Sequence, residues 1–337
     1  MPPLLWSTRA PHIAEMRTFG FVLLAVMVVA AAGAPVVGPY AVDRSFGGFL
    51  NAPPTRPHVL DDKGGWHAPF IYRWRLVNQL EQRYEEDRSG RIPLTWFHDG
   101  RLVTSNADDA PFFLLGADSY GRDVFSRLLY GARISLMLSF VAAVGATVLG
   151  ALLGGIAGYA GGWLDDVLMR GSDFVLVLPA MYVALALRSA LKLVLPPYEV
   201  FVLLTGIFAI VGAPFIARGV RAIVRSEKQL DYSAAAASLG ASHMRLLVRH
   251  LLPATRGFIA VEITMLVPSF IVAEATLSYV GLGFPDPIAS WGTMLHDAST
   301  VRAFADFPWL LSPAAAMFAV VLGLNLAMQG HRHTPSP

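Results

Sequence analysis

Ile134-Ser-Leu-Met-Leu-Ser-Phe-Val-Ala-Ala-Val-Gly-Ala-Thr-Val-Leu-Gly-Ala-Leu-Leu-Gly-Gly-Ile-Ala-Gly-Tyr-Ala-Gly-Gly-Trp-Leu164 is a continuous apolar run without Asp, Glu, Lys or Arg. A helix of about 20 apolar residues crosses the roughly 30 Å of hydrocarbon in a bilayer, so this run is long enough. It does not alternate between apolar and polar residues as a membrane β-barrel strand does. The stretch therefore predicts a membrane-spanning helix.

Similar apolar runs lie on both sides of this stretch. Four of them approach or exceed the length of a span: 18–42, 200–217, 257–273 and 307–329. A weaker candidate, 167–191, contains Arg170, Asp173 and Arg188, whose charges lie near its ends and can reach the membrane surface. Together the runs predict an all-α, polytopic membrane protein with six transmembrane helices.

Composition agrees with a membrane protein. The chain has 337 residues, of which 55% are hydrophobic and 15% charged, whereas soluble domains carry about 25% charged residues. Its mean hydropathy is +0.52. A net charge of only +2 argues against nucleic acid as the main partner. Because the chain has no cysteine, disulfides and thiolate metal sites are excluded.

The loop between the fourth and fifth predicted spans sets the orientation. Residues 218–256 contain seven basic side chains and only two acids, Glu227 and Asp231. The positive-inside rule places this loop in the cytoplasm, and counting spans places residues 1–17 and the tail 330–337 there as well. The first span is then 18–37. A cleaved signal peptide is the alternative for it, since Ala32-Gly33-Ala34 resembles a cleavage site, but Pro35 follows directly.

Residues 38–130 are then an extracytoplasmic insert that ends in an interfacial helix before the permeation domain, 131–329. Its Pro- and Gly-rich parts lie at 51–57 and 63–66, and a helix is predicted around Tyr72–Asp87. The tryptophans Trp66, Trp74 and Trp96 are expected to order it. The interfacial helix is expected to be amphipathic and to carry Arg122, Asp123 and Arg127.

Motifs that mark common enzymes are missing. A phosphate-binding P-loop needs Gly-Lys before Ser or Thr, and no lysine follows a glycine in this chain. No histidine precedes a glutamate, so there is no His-Glu-x-x-His zinc helix, and no Gly-x-Ser-x-Gly elbow occurs. The sequence predicts a chain that is not an enzyme and binds neither a metal nor a cofactor.

The segment Asp231-Tyr-Ser-Ala-Ala-Ala-Ala-Ser-Leu-Gly240, continuing to Pro253, predicts a helix-turn-helix. The alanines are strong helix formers, Asp231 is expected to cap the first helix, and Gly240 suits its left-handed end. Ser242 can cap the second helix, which Pro253 ends. One face of that helix is predicted to hold Met244, Leu247, Val248 and Leu251.

This segment resembles the cytoplasmic signature loop of bacterial ABC-transporter permeases, which docks into the ATPase subunit. Ala235, Ala236, Gly240 and Leu252-Pro253 match the signature, whereas Ala234 stands where the family has Glu. Two further segments resemble the dipeptide/oligopeptide (nickel) branch of this family, and within that branch the second permease. They are Leu115–Arg127 with Gly131–Leu136, and Leu277–Pro287 with Ser290–Met294. With Met169–Asp173 and Pro179, the resemblance covers roughly 115–326; the insert from about 45 to 111 is not covered.

The resemblance implies a type I ABC importer permease in a bacterial inner membrane. It implies as partners a second permease subunit, two ATPase subunits that bind ATP and Mg, and an extracytoplasmic substrate-binding protein. ATP-driven closure would move the signature segment as a lever and tilt the spans attached to it. The residues implied in ATPase coupling are Asp231, Tyr232, Ala235, Ala236, Gly240, Leu252 and Pro253.

Charges near the membrane are candidates for the transport route. Glu274 and Asp173 either line the pathway or form structural ion pairs. Arg122, Asp123 and Arg127 are alternatively a gate or a contact with the binding protein. Trp291 is expected to anchor the chain at the membrane interface, with a substrate contact as the alternative. The glycines of the second span are expected to allow close helix packing: Gly154, Gly155 and Gly158.

Three other functions stay open from the sequence. An ion-driven secondary transporter needs coupling acids at mid-membrane, usually in repeated halves, and no repeat is visible. A membrane-embedded enzyme lacks its motifs, and a membrane scaffold subunit is compatible with the sequence. Peptides are the first cargo that the resemblance implies, with nickel chelates, opines and sugars as alternatives.

Overall fold

The computed structural model describes residues 10–61, 64–177, 182, 186, 195–300 and 305–328. Within them, five helices are long and apolar enough to span a membrane: Ala14–Ala32, Val124–Ala160, Pro197–Glu227, His243–Tyr279 and Pro308–Met328. They coincide with five of the six predicted spans. The remaining one, 167–191, continues past Val177 beyond the described segment, so a count of six helices stays a prediction.

The α-helices have the following bounds in chain order: α1 (Ala10–Ala32), α2 (Ala34–Val37), α3 (Val124–Ala160), α4 (Gly162–Val177), α5 (Pro197–Glu227), α6 (Asp231–Ser238), α7 (His243–Leu246), α8 (Arg256–Tyr279), α9 (Trp291–Asp297) and α10 (Ser312–Met328). A π-helical turn, Leu247–Leu251, and a 3₁₀ turn, Leu252–Thr255, join α7 to α8 without a break. Another 3₁₀ turn, Pro308–Leu311, precedes α10.

The described chain forms two compact units. Of the described residues, the first unit holds 10–17, 136–277 and 324–328, and the second holds Thr18–Ser135 and Ser278–Gly323. The domain boundaries drawn from the sequence, 18–37, 38–130 and 131–329, stay predictions.

In the first unit, a stripe of glycines brings α3 against the backbone of α5. A methyl group at Gly154 would lie 2.2 Å from the carbonyl oxygen of Ala217, and one at Gly158 would lie 2.6 Å from that of Arg221. A methyl group at Gly150 would lie 2.6 Å from the carbonyl oxygen of Ala213. Only glycine lets two helix backbones approach this closely. The packing role predicted for Gly154 and Gly158 is confirmed.

The insert in the second unit is built from β-strands. The first sheet is antiparallel with the order β1-β2-β3: β1 (His58–Leu60), β2 (Trp66–Asn78) and β3 (Arg83–Pro93). The helix predicted around Tyr72–Asp87 is therefore wrong. Apolar and basic residues alternate along Tyr72-Arg73-Trp74-Arg75-Leu76, which is the period of a strand. The all-α class holds for the membrane helices and does not extend to this insert.

A second hairpin pairs β4 (Thr95–His98) with β5 (Arg101–Thr104). Its two-residue loop is Asp99-Gly100, and both residues have positive φ, 50° and 73°. Asp-Gly between two apolar stretches is a strong hairpin signal, because aspartate and glycine tolerate this left-handed backbone.

Aromatic side chains fill one hydrophobic core of the second unit. Tyr40, Phe46 and Phe113 are buried and pack edge to face, with ring centres 4.8–6.4 Å apart. Of the tryptophans expected to order the insert, Trp74 donates to Thr55 Oγ1 at 3.3 Å. Trp66 and Trp96 are exposed, so that expectation is wrong for both.

Candidate functional site

The predicted helix-turn-helix is present and projects its first helix from the first unit. Of the residues in α6, Ser233 alone is buried. Asp231, Tyr232 and Ala235 are exposed, and Ala236 is partly exposed. Next to them lies Leu239, which is 89% exposed. Nearly all of the surface of α6 is therefore open.

Local hydrogen bonds end α6 sharply. Gly240 has a φ of +84°, its N–H donates to the Ala237 carbonyl at 3.0 Å, and the Ala241 N–H donates to that of Ala236 at 3.1 Å. This pair of bonds is a Schellman motif and confirms the left-handed end predicted at Gly240. Asp231 is not the N-cap: that position is Leu230, and Asp231 lies in the first helical turn, where a carboxylate still favours the helix dipole.

The second half of the segment packs differently from the prediction. Ser242 caps α7, its Oγ accepting from the Arg245 N–H at 3.4 Å. Leu251 is buried, but Met244 and Val248 are exposed, so the predicted four-residue apolar face is wrong. The switch from α-helical to π-helical winding after Leu246 shifts which residues face inward. Pro253 lies in the 3₁₀ turn and does not interrupt the helical path into α8.

Tyr159, near the end of α3, contacts the chain on both sides of α6. Its hydroxyl oxygen lies 2.5 Å from Nδ1 of His243, just after the turn. Its carbonyl oxygen accepts from Lys228 Nζ at 2.6 Å, just before α6, and the same ammonium lies 4.7 Å from the centre of the Tyr159 ring. Tyr159 is not among the residues predicted from the sequence, because no one-dimensional pattern brings position 159 next to positions 228 and 243.

Two neighbouring contacts further fix the segment. The Tyr232 hydroxyl donates to Glu227 Oε2 at 2.6 Å. Burial and this bond raise the pKa of Tyr232 to about 12, so the donor keeps its proton. Leu252 faces α3, where a methyl group at Gly155 would lie 3.2 Å from its Cδ2. The segment is therefore attached to the first unit at several points, while α6 stays exposed.

In the second unit, the buried Arg122 is the centre of an ionic network. Its guanidinium donates to Asp118 Oδ2 at 2.7 Å, to Asp286 Oδ1 at 3.0 Å and to Asp297 Oδ2 at 3.1 Å. Arg127 adds an ion pair to Asp118 at 3.4 Å. The network joins the turn before α3 to the loop after α8 and to the end of α9. Only Arg122 and Arg127 of this set were singled out from the sequence.

An amphipathic interfacial helix around these residues is not observed. Arg122 is 6% exposed, and Asp123 and Arg127 are each 1% exposed. Asp123 accepts from the Ser126 N–H at 2.7 Å through Oδ2, as an N-cap of α3 does, while its buried Oδ1 has no hydrogen-bond partner among the described residues. Burial raises the pKa of Asp123 to about 7. A gate or a binding-protein contact at these residues stays a prediction.

Trp291 also lies in the interior and does not anchor the chain at an interface. It is 1% exposed, and its indole N–H donates to the Leu128 carbonyl at 3.1 Å. The capping box of Ser290 and Thr293 begins α9 at this tryptophan. The interface expectation for Trp291 is wrong.

The two acids predicted near membrane depth occupy different environments. Asp173 on α4 forms an ion pair with Arg218 on α5, and both side chains are about half exposed. Asp165 and Arg221 make a second pair between the same helices, with two contacts of 2.5 Å. Glu274 is fully buried in α8. A pathway role for Asp173 or Glu274 stays a prediction.

A cavity of about 460 Å³ lies between α5 and α8. Of the described residues that line it, one is charged: Glu262, which lies within the fifth predicted span and was not among the candidates drawn from the sequence. The other lining residues are mostly apolar and include Phe208, Phe215, Met265 and Phe270. Ser269 and Thr276 add hydroxyl groups to the wall.

Comparison with known proteins relates this architecture to one family. Residues 147–331, more than half of the chain, match the model of the binding-protein-dependent transport system inner membrane component. The chain is 37% identical over 235 residues to the oligopeptide transport system permease protein OppC of Bacillus subtilis, which covers 69% of this chain and 74% of that protein.

Two further relatives have similar coverage. The dipeptide transport system permease protein DppC of Alkalihalophilus pseudofirmus is 36% identical over 223 residues, covering 66% of this chain and 71% of its own length. The glutathione transport system permease protein GsiD of Pectobacterium atrosepticum is 36% identical over 223 residues, which cover 66% of this chain and 72% of that protein. The chain belongs to the family of binding-protein-dependent transport system inner membrane components, and it is a multi-pass permease subunit of an ABC importer.

Proposed function

We propose that the chain forms half of a route by which peptides or similar small solutes enter a bacterial cell through its inner membrane. A second permease subunit supplies the other half, and an extracytoplasmic binding protein delivers the solute. Two ATPase subunits, which carry the ATP and Mg, grip the segment Asp231–Pro253. The names of the relatives support the cargo class, since OppC and DppC are oligopeptide and dipeptide permeases.

The exposed helix α6, held at both ends by Tyr159, is the observation that carries this proposal. A partner that pulls on α6 would transmit its motion to α5 before it and to α8 after it, because the chain continues from Lys228 into α6 and from Pro253 into α8. A firmly attached helix pair transmits displacement better than a flexible linker. The arrangement suits alternating access by rigid-body motion.

The natural lack of cysteine provides a direct test. In Ala237→Cys the new thiol lies on exposed α6, and in Ser89→Cys it lies on the exposed β3 strand of the insert. On intact cells, an impermeant maleimide should label Ser89→Cys and spare Ala237→Cys until the membrane is opened. In the assembled transporter, a thiol-to-amine cross-linker should join Ala237→Cys, and not Ser89→Cys, to an ATPase subunit.

Labelling of Ala237→Cys from outside would overturn the proposed orientation. Absence of a cross-link to an ATPase subunit during ATP turnover would overturn the proposed docking. As a control, solute uptake is measured in both cysteine variants. Uptake equal to that of the unaltered transporter shows that the substitutions leave it intact.

A further inference from the structure

The cavity between α5 and α8 follows one side of α8 for much of its length. Its lining residues on that helix include 262, 265, 269, 273 and 276, which recur every three or four positions. At about 1.5 Å per residue, this stripe extends roughly 21 Å along the helix axis. The opposite wall contains Phe208, Gly212 and Phe215 of α5. The cavity is therefore elongated and parallel to a membrane-spanning helix.

Glu262 is the only charged group on this wall among the residues that the structure describes. It makes no hydrogen bond or ion pair with another described residue. The hydroxyls farther along the same wall donate within their own helix, Ser269 to the Met265 carbonyl at 2.9 Å and Thr276 to that of Val272 at 2.8 Å. They do not donate to the carboxylate. Glu262 is thus an acceptor group in apolar surroundings with no donor beside it.

The chemistry of the wall favours a cation. A carboxylate at membrane depth is expensive unless a positive group pairs with it. Phe208 and Phe270 stack beside the same cavity with ring centres 5.3 Å apart, and aromatic faces attract ammonium groups. A volume of about 460 Å³ falls within the usual range of roughly 300–1,000 Å³ for small-molecule sites.

We propose that Glu262 receives the ammonium group of the transported solute as the solute passes along this cavity. The inference deepens the proposed function and rests on it. Glu262 selects solutes that carry a free amino group over otherwise identical solutes in which that group is acylated. The aliphatic and aromatic lining accepts the remainder of the solute without requiring a particular side chain.

Carbodiimide labelling tests binding without measuring transport, because carbodiimides react with carboxyl groups in apolar surroundings. The transporter, assembled with its partner subunits in liposomes, is labelled with and without trialanine or N-acetyl-trialanine, and mass spectrometry measures modification of Glu262. Trialanine should lower it about tenfold, as expected for a charge-assisted hydrogen bond. N-acetyl-trialanine should not. Equal protection by both peptides, protection by neither, or no labelling of Glu262 would overturn the inference.

Uptake gives an independent measurement. Glu262→Gln should raise the KM for trialanine by about tenfold, and Glu262→Asp, which keeps the charge, should restore most of the affinity. Glu199→Gln is the matched control, because Glu199 lies in the first turn of α5 and is not part of the cavity lining. An unchanged KM in Glu262→Gln would contradict the inference alone, whereas absence of ATP-driven uptake in the unaltered transporter would contradict the proposed function.

Discussion

The Tyr159 hydroxyl oxygen lies 2.5 Å from Nδ1 of His243, and the Tyr159 carbonyl oxygen accepts from Lys228 at 2.6 Å. One residue at the end of α3 therefore holds the chain both before and after α6. This makes α6 a helix with fixed ends, although nearly all of its surface is exposed. The segment Asp231–Pro253 owes its position to these contacts as well as to its own helical caps.

Tyr159→Phe removes the hydroxyl contact with His243 and keeps the ring beneath Lys228. A single hydrogen bond contributes about 0.5–1.5 kcal/mol, so the fold should survive while the segment loosens. We expect solute uptake per ATP hydrolysed to fall by roughly twofold to tenfold, measured in proteoliposomes. Tyr198→Phe is the control, since among the described residues that exposed hydroxyl bonds to the adjacent Glu199 alone. Equal coupling in both variants would contradict a role for Tyr159.

Leu239→Asp places a charge on the exposed end of α6. If an ATPase subunit covers this residue, burying an unpaired carboxylate should weaken docking by about 2–5 kcal/mol. The amount of ATPase that co-purifies with the permease should fall, while the thermal stability of the permease itself should not. Leu80→Asp is a matched control, because Leu80 on the insert is 85% exposed and Leu239 is 89% exposed. Normal ATPase recovery with Leu239→Asp would show that this leucine is not in the interface.

Gly154→Ala tests the close packing of α3 on α5. The added methyl group would meet backbone atoms of Ala217, which cannot rotate away. Overpacking of this kind costs about 1–3 kcal/mol, so the unfolding temperature of the purified protein should fall. Gly206→Ala, in α5, has open space around the new methyl group and should be neutral or slightly stabilising. Similar unfolding temperatures for both variants would contradict the packing described here.

Asp123 should make the stability of the second unit depend on pH. Its pKa is raised to about 7 in the folded chain, against about 3.9 when unfolded. Between these values the folded state keeps a proton that the unfolded state has released, so stability is highest at low pH and declines as pH rises toward neutrality. Above about pH 7 the folded state must hold Asp123 as a buried carboxylate, and the stability that its protonated form contributes is lost completely.

Asp123→Asn keeps a good helix cap and removes this titration. Its unfolding temperature should fall less between pH 5 and pH 8 than that of the unaltered protein. Some slope should persist, because burial also raises the pKa of Asp297. A slope equal to that of the unaltered protein would mean that Asp123 does not titrate in this range.

The membrane helices could be predicted from the sequence because length and hydrophobicity alone determine whether a helix can span a bilayer. Tyr72–Asp87 was mispredicted for a specific reason. Its charged residues favour a helix, but the alternation of apolar and basic residues around Trp74 indicates a strand. Both signals are present in the sequence, so this part of the fold was predictable in principle.

The candidate sites were only partly predictable. Gly240 and Ser242 were identified correctly because helix caps are local features. The contacts of Tyr159 and the pairing of Arg122 with Asp286 and Asp297 join positions far apart in the chain. No periodic pattern encodes such contacts. Glu262 was visible as a charge in an apolar run, but its place on the cavity wall follows only from the packing of α5 and α8.

Uptake by reconstituted transporter tests the central claim most directly. Liposomes containing this permease, its partner permease and the binding protein are compared with and without the ATPase subunits and internal ATP. We expect solute accumulation only when both ATPase and ATP are present. Accumulation without the ATPase, driven by an ion gradient, would contradict the account and favour a secondary transporter.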